Sequence, residues 1–164
     1  MQDRFALAFE FFINVGHHFV EAVGVPQSFN DLVWSQALAD VRGETSQDTY
    51  DSRRRALDWG RGESMSARVG EKSFARANER ASVSSEQKAR IDEKAKTSFV
   101  EGAFSDILAI YMLSLTLDFN YADLRERQYP LLAAPALAER LRHVAALFPP
   151  NPGYTFQISY RRKS

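Results

Sequence analysis

The stretch that decides the fold is residues 5–20, which read FALAFEFFINVGHHFV. Phe5, Phe9 and Phe12 recur at steps of three and four residues, and this is the period of one helix turn. Positions between them, such as Phe11, are apolar as well, so apolar side chains cover most of the circumference. We therefore expect a helix buried on most sides, either inside the domain or against a partner.

Local start and stop signals predict a second helix directly after the first. Pro26 separates the two. Ser28 or Asn30 is expected to cap the second helix through its side chain. The apolar pattern continues to Val41, and Gly43 is expected to stop the helix there.

A third helix is predicted from the capping box formed by Ser84 and Gln87. Its second half, residues 103–119, is almost entirely apolar, with Asp106 as an isolated charge. Gly102 is expected to kink or divide this helix, because glycine weakens a helix interior. The apolar half is predicted to lie at the centre of the protein together with the Phe-rich first helix.

The remainder of the chain changes character twice. A short helix is predicted for residues 121–128, and Pro135 suits the first turn of another that ends before Pro149. Apolar and polar residues then alternate over 154–160, which is the period of a strand. Its pairing partner is not evident from the sequence.

These patterns predict a mainly α-helical bundle in a single domain, residues 1–164, with a charged helical middle region and a short C-terminal β-strand. Residues 1–42 form apolar helices, and 43–83 are charged and either helical or flexible. Residues 84–148 form the helical core, and 149–164 form an extended tail.

Composition excludes several classes of protein. The 164 residues contain no cysteine, which removes disulfide scaffolds, thiolate zinc sites and cysteine nucleophiles. The formal net charge is +0, whereas a general polyanion binder is normally basic. No phosphate-binding glycine loop or serine elbow is present. The sequence therefore favours a protein without a cofactor and without enzymatic activity.

Two adjacent histidines are the first candidate for chemistry. His18 and Glu21 are three residues apart, so a helix places them on one face as candidate metal ligands. The candidate catalytic residues are His17, His18 and Glu21. His143 could complete the metal site only if the fold brings it close. The alternative is structural, because histidine is favoured near a helix C-terminus.

The segment Gly16–Val20 reads GHHFV and resembles the Gly-His-His signature of the HNH and endonuclease VII-type nuclease toxins of bacterial polymorphic toxin systems. The resemblance implies that one histidine serves as general base and that a downstream histidine or asparagine completes a metal site. The match covers five residues. Glu21 stands where such toxins often carry proline, and the next histidine is His143.

Basic residues form a second candidate site, for contacts to phosphates. Aromatic side chains near them could stack on bases. The alternative is a solvated helix face, because Asp48, Asp51 and Asp58 lie among the first basic cluster. The candidate binding residues are Arg53, Arg54, Arg55, Tyr154, Phe156, Tyr160, Arg161, Arg162 and Lys163.

Asp106 is a third candidate because it interrupts an apolar helix. A buried carboxyl with a raised pKa could act as a general acid or base. The alternative is a structural aspartate that is hydrogen-bonded in the interior or faces an edge of the helix.

The leading functional hypothesis is a non-enzymatic helical module that binds a protein or self-associates, because two nearly all-apolar helices are hard to bury within one short chain. One alternative is a metal-dependent, toxin-like nuclease with nucleic acid as its partner. Another is a membrane-active protein in which segments 5–25 and 103–119 insert. No signal peptide is evident, so we expect a cytoplasmic protein, with secretion by a signal-less route left open.

Overall fold

The computed structural model describes residues 2–58, 92–124 and 129–154, with side chains from Phe5 onward. This part of the chain is mainly α-helical, and its helices pack against one another. The helices are α1 (Gln2–Val23), α2 (Gln27–Leu38), α3 (Gln47–Asp58), α4 (Glu93–Ser114) and α5 (Ala134–Leu147), with a 3₁₀ helix at Tyr121–Leu124. The predicted fold class is confirmed.

Helix α4 is the centre of the bundle and contacts all four other α-helices. Every residue from Ala103 to Tyr111 is buried, because neighbours cover each side of the helix. An aromatic ring of α2 packs on this segment, with 4.7 Å between the ring centroids of Phe29 and Phe104. Residues 103–111 therefore lie at the centre, as predicted, whereas Thr116, Leu117 and Asp118 near the end of the predicted segment are exposed.

Helix α1 packs along α4, and Gly16 lies at their closest approach. A Cβ atom at Gly16 would come within 2.7 Å of the Ser105 carbonyl oxygen, so only glycine allows this spacing. Val20, one turn further, is buried on the same face. On the opposite face Leu7 and Phe11 are exposed, so the expected burial on most sides is not reached within this chain.

A short backbone pairing joins the segment before α3 to the segment before α5. Glu44 donates its backbone N–H to the Pro130 oxygen, and Leu132 donates to the Glu44 oxygen, both at 3.0 Å. Gly43 adopts φ 78°, and a Cβ atom there would collide with the Leu131 carbonyl. This pairing carries the Glu44 side chain into the protein interior.

Both ends of the second predicted helix were wrong. Helix α2 begins at Gln27 behind Pro26, and no side chain caps it. Ser28 therefore lies inside the first turn. The helix ends at Leu38, before Val41, because Asp40 takes φ 53° and breaks the helical run.

The predicted boundaries of the central helix also need correction. Helix α4 begins at Glu93, and the Asp92 carboxylate caps it by accepting from the Ala95 N–H at 3.0 Å. Asp92 itself has extended backbone and is not part of a helix, contrary to the prediction. The helix passes Gly102 without interruption and ends at Ser114, short of residue 119.

Towards the C-terminus the outcome is mixed. The helix predicted for 121–128 is a 3₁₀ turn at Tyr121–Leu124, and residues 125–128 lie outside the described part. Pro135 lies in the first turn of α5, as predicted. The strand pattern at 154–160 falls outside the described residues except for Tyr154, which is not in a strand. Residues 59–91, including the Ser84 capping box, also lie outside them.

In the described part of the chain, no helix combines the length and the apolar character needed to cross a membrane.

Candidate functional site

A cavity of about 390 Å³ lies between α1, the N-terminal end of α3 and the middle of α4. Its walls mix carboxylates, hydroxyl groups and apolar side chains, which is the composition of many small-molecule sites. The lining residues are Phe9, Ile13, His17, Thr45, Ser46, Gln47, Asp48, Thr49, Ser52, Ser98, Glu101, Gly102, Asp106, Leu124 and Tyr129.

Asp106 is the most deeply buried carboxyl group in this cavity and is 5% exposed. The hydroxyls of Thr45 and Thr49 both donate to its Oδ2, at 2.7 and 2.8 Å. Ser46 donates in turn to the Thr49 hydroxyl at 2.9 Å. Gly102 makes room for this arrangement, because a Cβ atom there would lie 2.8 Å from Thr49 Oγ1.

Burial raises the pKa of Asp106 above its ordinary value of 3.8, because the charged form loses solvation. Hydrogen bonds from neighbouring hydroxyl groups oppose this shift, and so does the nearby His17. Desolvation is the larger effect, so the net direction is upward. Both interpretations of Asp106 from the sequence are therefore compatible with its position: it is buried and hydrogen-bonded, and its carboxyl is perturbed.

The rest of the cavity lining includes both acidic and apolar side chains. Asp48 and Glu101 are exposed and add two carboxylates near its mouth. Phe9 and Ile13 of α1 are among the apolar side chains. Tyr129 closes one end, and its hydroxyl donates to the Thr45 carbonyl at 2.9 Å.

A second polar cluster is buried between α2, α3 and α5. Glu44 accepts from Arg140 at 2.8 Å and from Arg53 at 3.2 Å, and Arg140 and Glu44 are both 0% exposed. Gln36 accepts a further hydrogen bond from Arg140 at 2.8 Å. One carboxylate thus receives two guanidinium groups, which satisfies its charge without water.

The histidines predicted as a metal site are separated by the fold. His18 Nδ1 lies 3.2 Å from Glu21 Oε2 on the exposed side of α1. His17 lines the cavity, whereas His143 contacts the Ser28 hydroxyl at 3.0 Å. Among the described residues no three or more His, Asp or Glu side chains are grouped to hold a metal ion. The metal-dependent nuclease stays a prediction that rests on the histidine pair.

The three consecutive arginines, Arg53–Arg55, do not share one surface. Arg53 is buried and also donates to the Val41 carbonyl, whereas Arg54 and Arg55 are exposed. Tyr154 is 57% exposed and borders an apolar groove with Phe12. The other predicted binding residues, Phe156, Tyr160, Arg161, Arg162 and Lys163, lie outside the described residues.

The outer face of α1 carries a row of three exposed apolar side chains, which we call the α1 stripe: Leu7, Phe11 and Val15. They are 70%, 61% and 36% exposed. Spacing by four residues places them on successive turns of one face. This face lies opposite the one that packs on α4.

Sequence reasoning missed the hydroxyl groups around Asp106 and the burial of Glu44. Ser46 offers a local signal, since its hydroxyl accepts from the Thr49 N–H three residues later, as a helix cap does. Glu44 gives no such signal, because its partner Arg140 lies 96 residues away in the chain.

Comparison with known proteins adds no assignment, because no family model, no curated protein and no solved structure matches this chain. The resemblance to nuclease toxins therefore rests on Gly16–Val20 alone.

Proposed function

We propose that this chain is a helical assembly module that pairs with a second copy of itself through the α1 stripe. The observation that carries the proposal is the exposure of Leu7, Phe11 and Val15 along one face of a helix whose other side packs on α4. Contact between apolar surface and water is unfavourable, so pairing of two stripes lowers the free energy. Contiguous apolar patches on a surface commonly mark interaction sites.

The spacing of the stripe favours a copy of the same chain as the partner. Leu7 and Val15 each lie four residues from Phe11. An antiparallel pair of α1 helices, related by a twofold axis at Phe11, therefore sets Phe11 against its own copy. The same operation sets Leu7 of each copy against Val15 of the other. A contact of this isologous kind closes on itself and gives a dimer.

The flanks of the stripe suit the edge of an interface. Glu10 and Asn14 are exposed on one flank, where they supply polar groups that can stay in water. On the other flank the Phe12 ring lies 5.5 Å from the Phe11 ring and supports it. Three side chains form a small contact, so we expect a reversible dimer with a Kd of about micromolar or weaker.

Sedimentation velocity over a concentration series tests this proposal. The wild-type chain is expected to shift from monomer to dimer as concentration rises, and Phe11→Glu is expected to remain monomeric. Leu38→Glu is the matched control, because Leu38 is also 61% exposed but lies at the end of α2. Circular dichroism melts verify that both variants fold.

A wild-type chain that stays monomeric well above micromolar concentration contradicts the proposal. So does a Phe11→Glu variant that dimerises as strongly as the wild type. If Leu38→Glu abolishes dimerisation and Phe11→Glu does not, the interface lies elsewhere.

A further inference from the structure

Two carboxyl groups are deeply buried in the described part of the chain, and they have different hydrogen-bond partners. Glu44 is 0% exposed and receives both Arg140 and Arg53. Asp106 is 5% exposed, and its hydrogen bonds come from the neutral hydroxyls of Thr45 and Thr49. A buried carboxylate is normally compensated by a cation, because desolvation of the charge is costly. Among the described residues, no arginine or lysine side chain is hydrogen-bonded to Asp106.

Asp106 also differs from Glu44 in lying beside open space. Glu44 is enclosed by protein, whereas Asp106 lines the cavity of about 390 Å³. Among the described residues that line it, His17 is the one basic side chain, and it is exposed. Asp48 and Glu101 add negative charge at the same opening. The electrostatic potential in the cavity therefore favours a cation.

The apolar lining residues limit what sort of cation can bind. Phe9 and Ile13 present apolar surface, and the aromatic ring of Phe9 can also attract a positive charge. No three acidic or histidine side chains are grouped as metal ligands in the described residues. An organic cation that carries a hydrocarbon group can contact both the carboxylates and the apolar side chains. A bare metal ion has no apolar group to place against Phe9 and Ile13.

We propose that this cavity is a binding site for a small organic cation with an apolar group, in which the cationic nitrogen is held by Asp106 and the apolar group lies against Phe9 and Ile13. The Thr45 and Thr49 hydroxyls hold the carboxylate in place. Asp48 and Glu101 attract the ligand to the opening. The site is independent of the α1 stripe, because Phe9 and Ile13 lie on the inward side of α1.

Titration of the full chain followed by ¹⁵N–¹H NMR tests the site. The probes are 2-phenylethylammonium and 3-methylbutylammonium as cations, with 3-phenylpropionate as an anion of similar size. At least one cation is expected to bind saturably and to shift amide signals of residues 45–49 and 101–106, and the anion is expected not to bind. Absence of saturable binding by either cation, or equal binding by the anion, overturns the proposal.

Substitutions identify the responsible carboxylate. Asp106→Asn is expected to weaken cation binding about tenfold or more, because a hydrogen bond between charged groups is lost. Asp118→Asn is the matched control, since Asp118 is exposed and does not line the cavity. Unchanged binding in Asp106→Asn contradicts the proposal.

A second variant covers the case in which Asp106→Asn does not fold. Asp48 and Glu101 are exposed, so the double substitution D48N and E101Q leaves the core intact. It is expected to weaken binding by a smaller factor, and unchanged binding counts against the site. Cation binding should persist in Phe11→Glu, so the site and the dimer can fail separately.

Discussion

Arg140 and Glu44 form an ion pair in which both side chains are 0% exposed, with 2.8 Å between Nη1 and Oε2. A second contact of 3.3 Å joins Arg140 Nη2 to Glu44 Oε1. The pair connects α5 to the segment that precedes α3. Because both side chains are buried, loss of Arg140 leaves Glu44 with Arg53 as its remaining arginine partner, at 3.2 Å.

Replacement of Arg140 by methionine is expected to destabilise the protein by about 1.5–3 kcal/mol, because Glu44 loses the shorter of its two arginine contacts and keeps Arg53. Urea denaturation followed by circular dichroism measures the change in the free energy of unfolding. Arg142→Met is the matched control, since Arg142 is exposed on the same helix. Similar stability of the two variants would show that the buried pair contributes little.

Substitution of alanine for Gly43 is expected to destabilise the protein more than the same change at Gly24. Both glycines have positive φ, at 78° and 75°, so both variants incur a backbone penalty of about 1 kcal/mol. At Gly43 an added Cβ atom would collide with the Leu131 carbonyl. At Gly24 an added Cβ atom would have no heavy atom within 4 Å. Thermal unfolding of both variants separates the collision from the backbone strain. Equal losses would contradict the close approach.

Asp106 is expected to make stability depend on pH. Its pKa is raised on folding, so the folded state keeps a proton that the unfolded state has released. Its contribution to stability is therefore complete below about pH 3.8 and is lost as pH rises through the folded-state pKa. Relative to Asp106→Asn, the wild type should lose stability over this window and then level off.

Urea unfolding at a series of pH values, with both proteins measured at each pH, tests this expectation. Asp118→Asn serves as the control for removal of one carboxylate, because Asp118 is exposed. A difference between wild type and Asp106→Asn that stays constant, or that grows in favour of the wild type as pH rises, contradicts the raised pKa.

The positions of α1, α2, α4 and α5 were largely predictable from the sequence, because helix periodicity and breakers act over a few residues. Helix α3 was not, since it lies within residues 43–83, which the sequence left as either helical or flexible. Pro26 and Pro135 mark helix starts by removing a backbone donor where none is needed. Exact ends were less predictable. Asp40 ends α2 through a positive φ that neither its residue type nor its neighbours required.

The candidate site was predictable only in part. The position of Asp106 in an apolar helix suggested a buried carboxyl, and the structure places it there. Its partners Thr45 and Thr49 gave no sequence signal, because they lie 61 and 57 residues away in the chain. Likewise, the run Arg53-Arg54-Arg55 suggested a single exposed surface, yet Arg53 turns inward to Glu44.

The sequence by itself determined the helical class and the apolar character of α1 and α4, since both follow from the spacing of side chains along one segment. Only the tertiary structure decided which faces are covered. It buries one side of α1 against α4, leaves Leu7 and Phe11 in water, and joins Glu44 to Arg140. These outcomes depend on contacts between distant segments, whose geometry is set when the helices pack together.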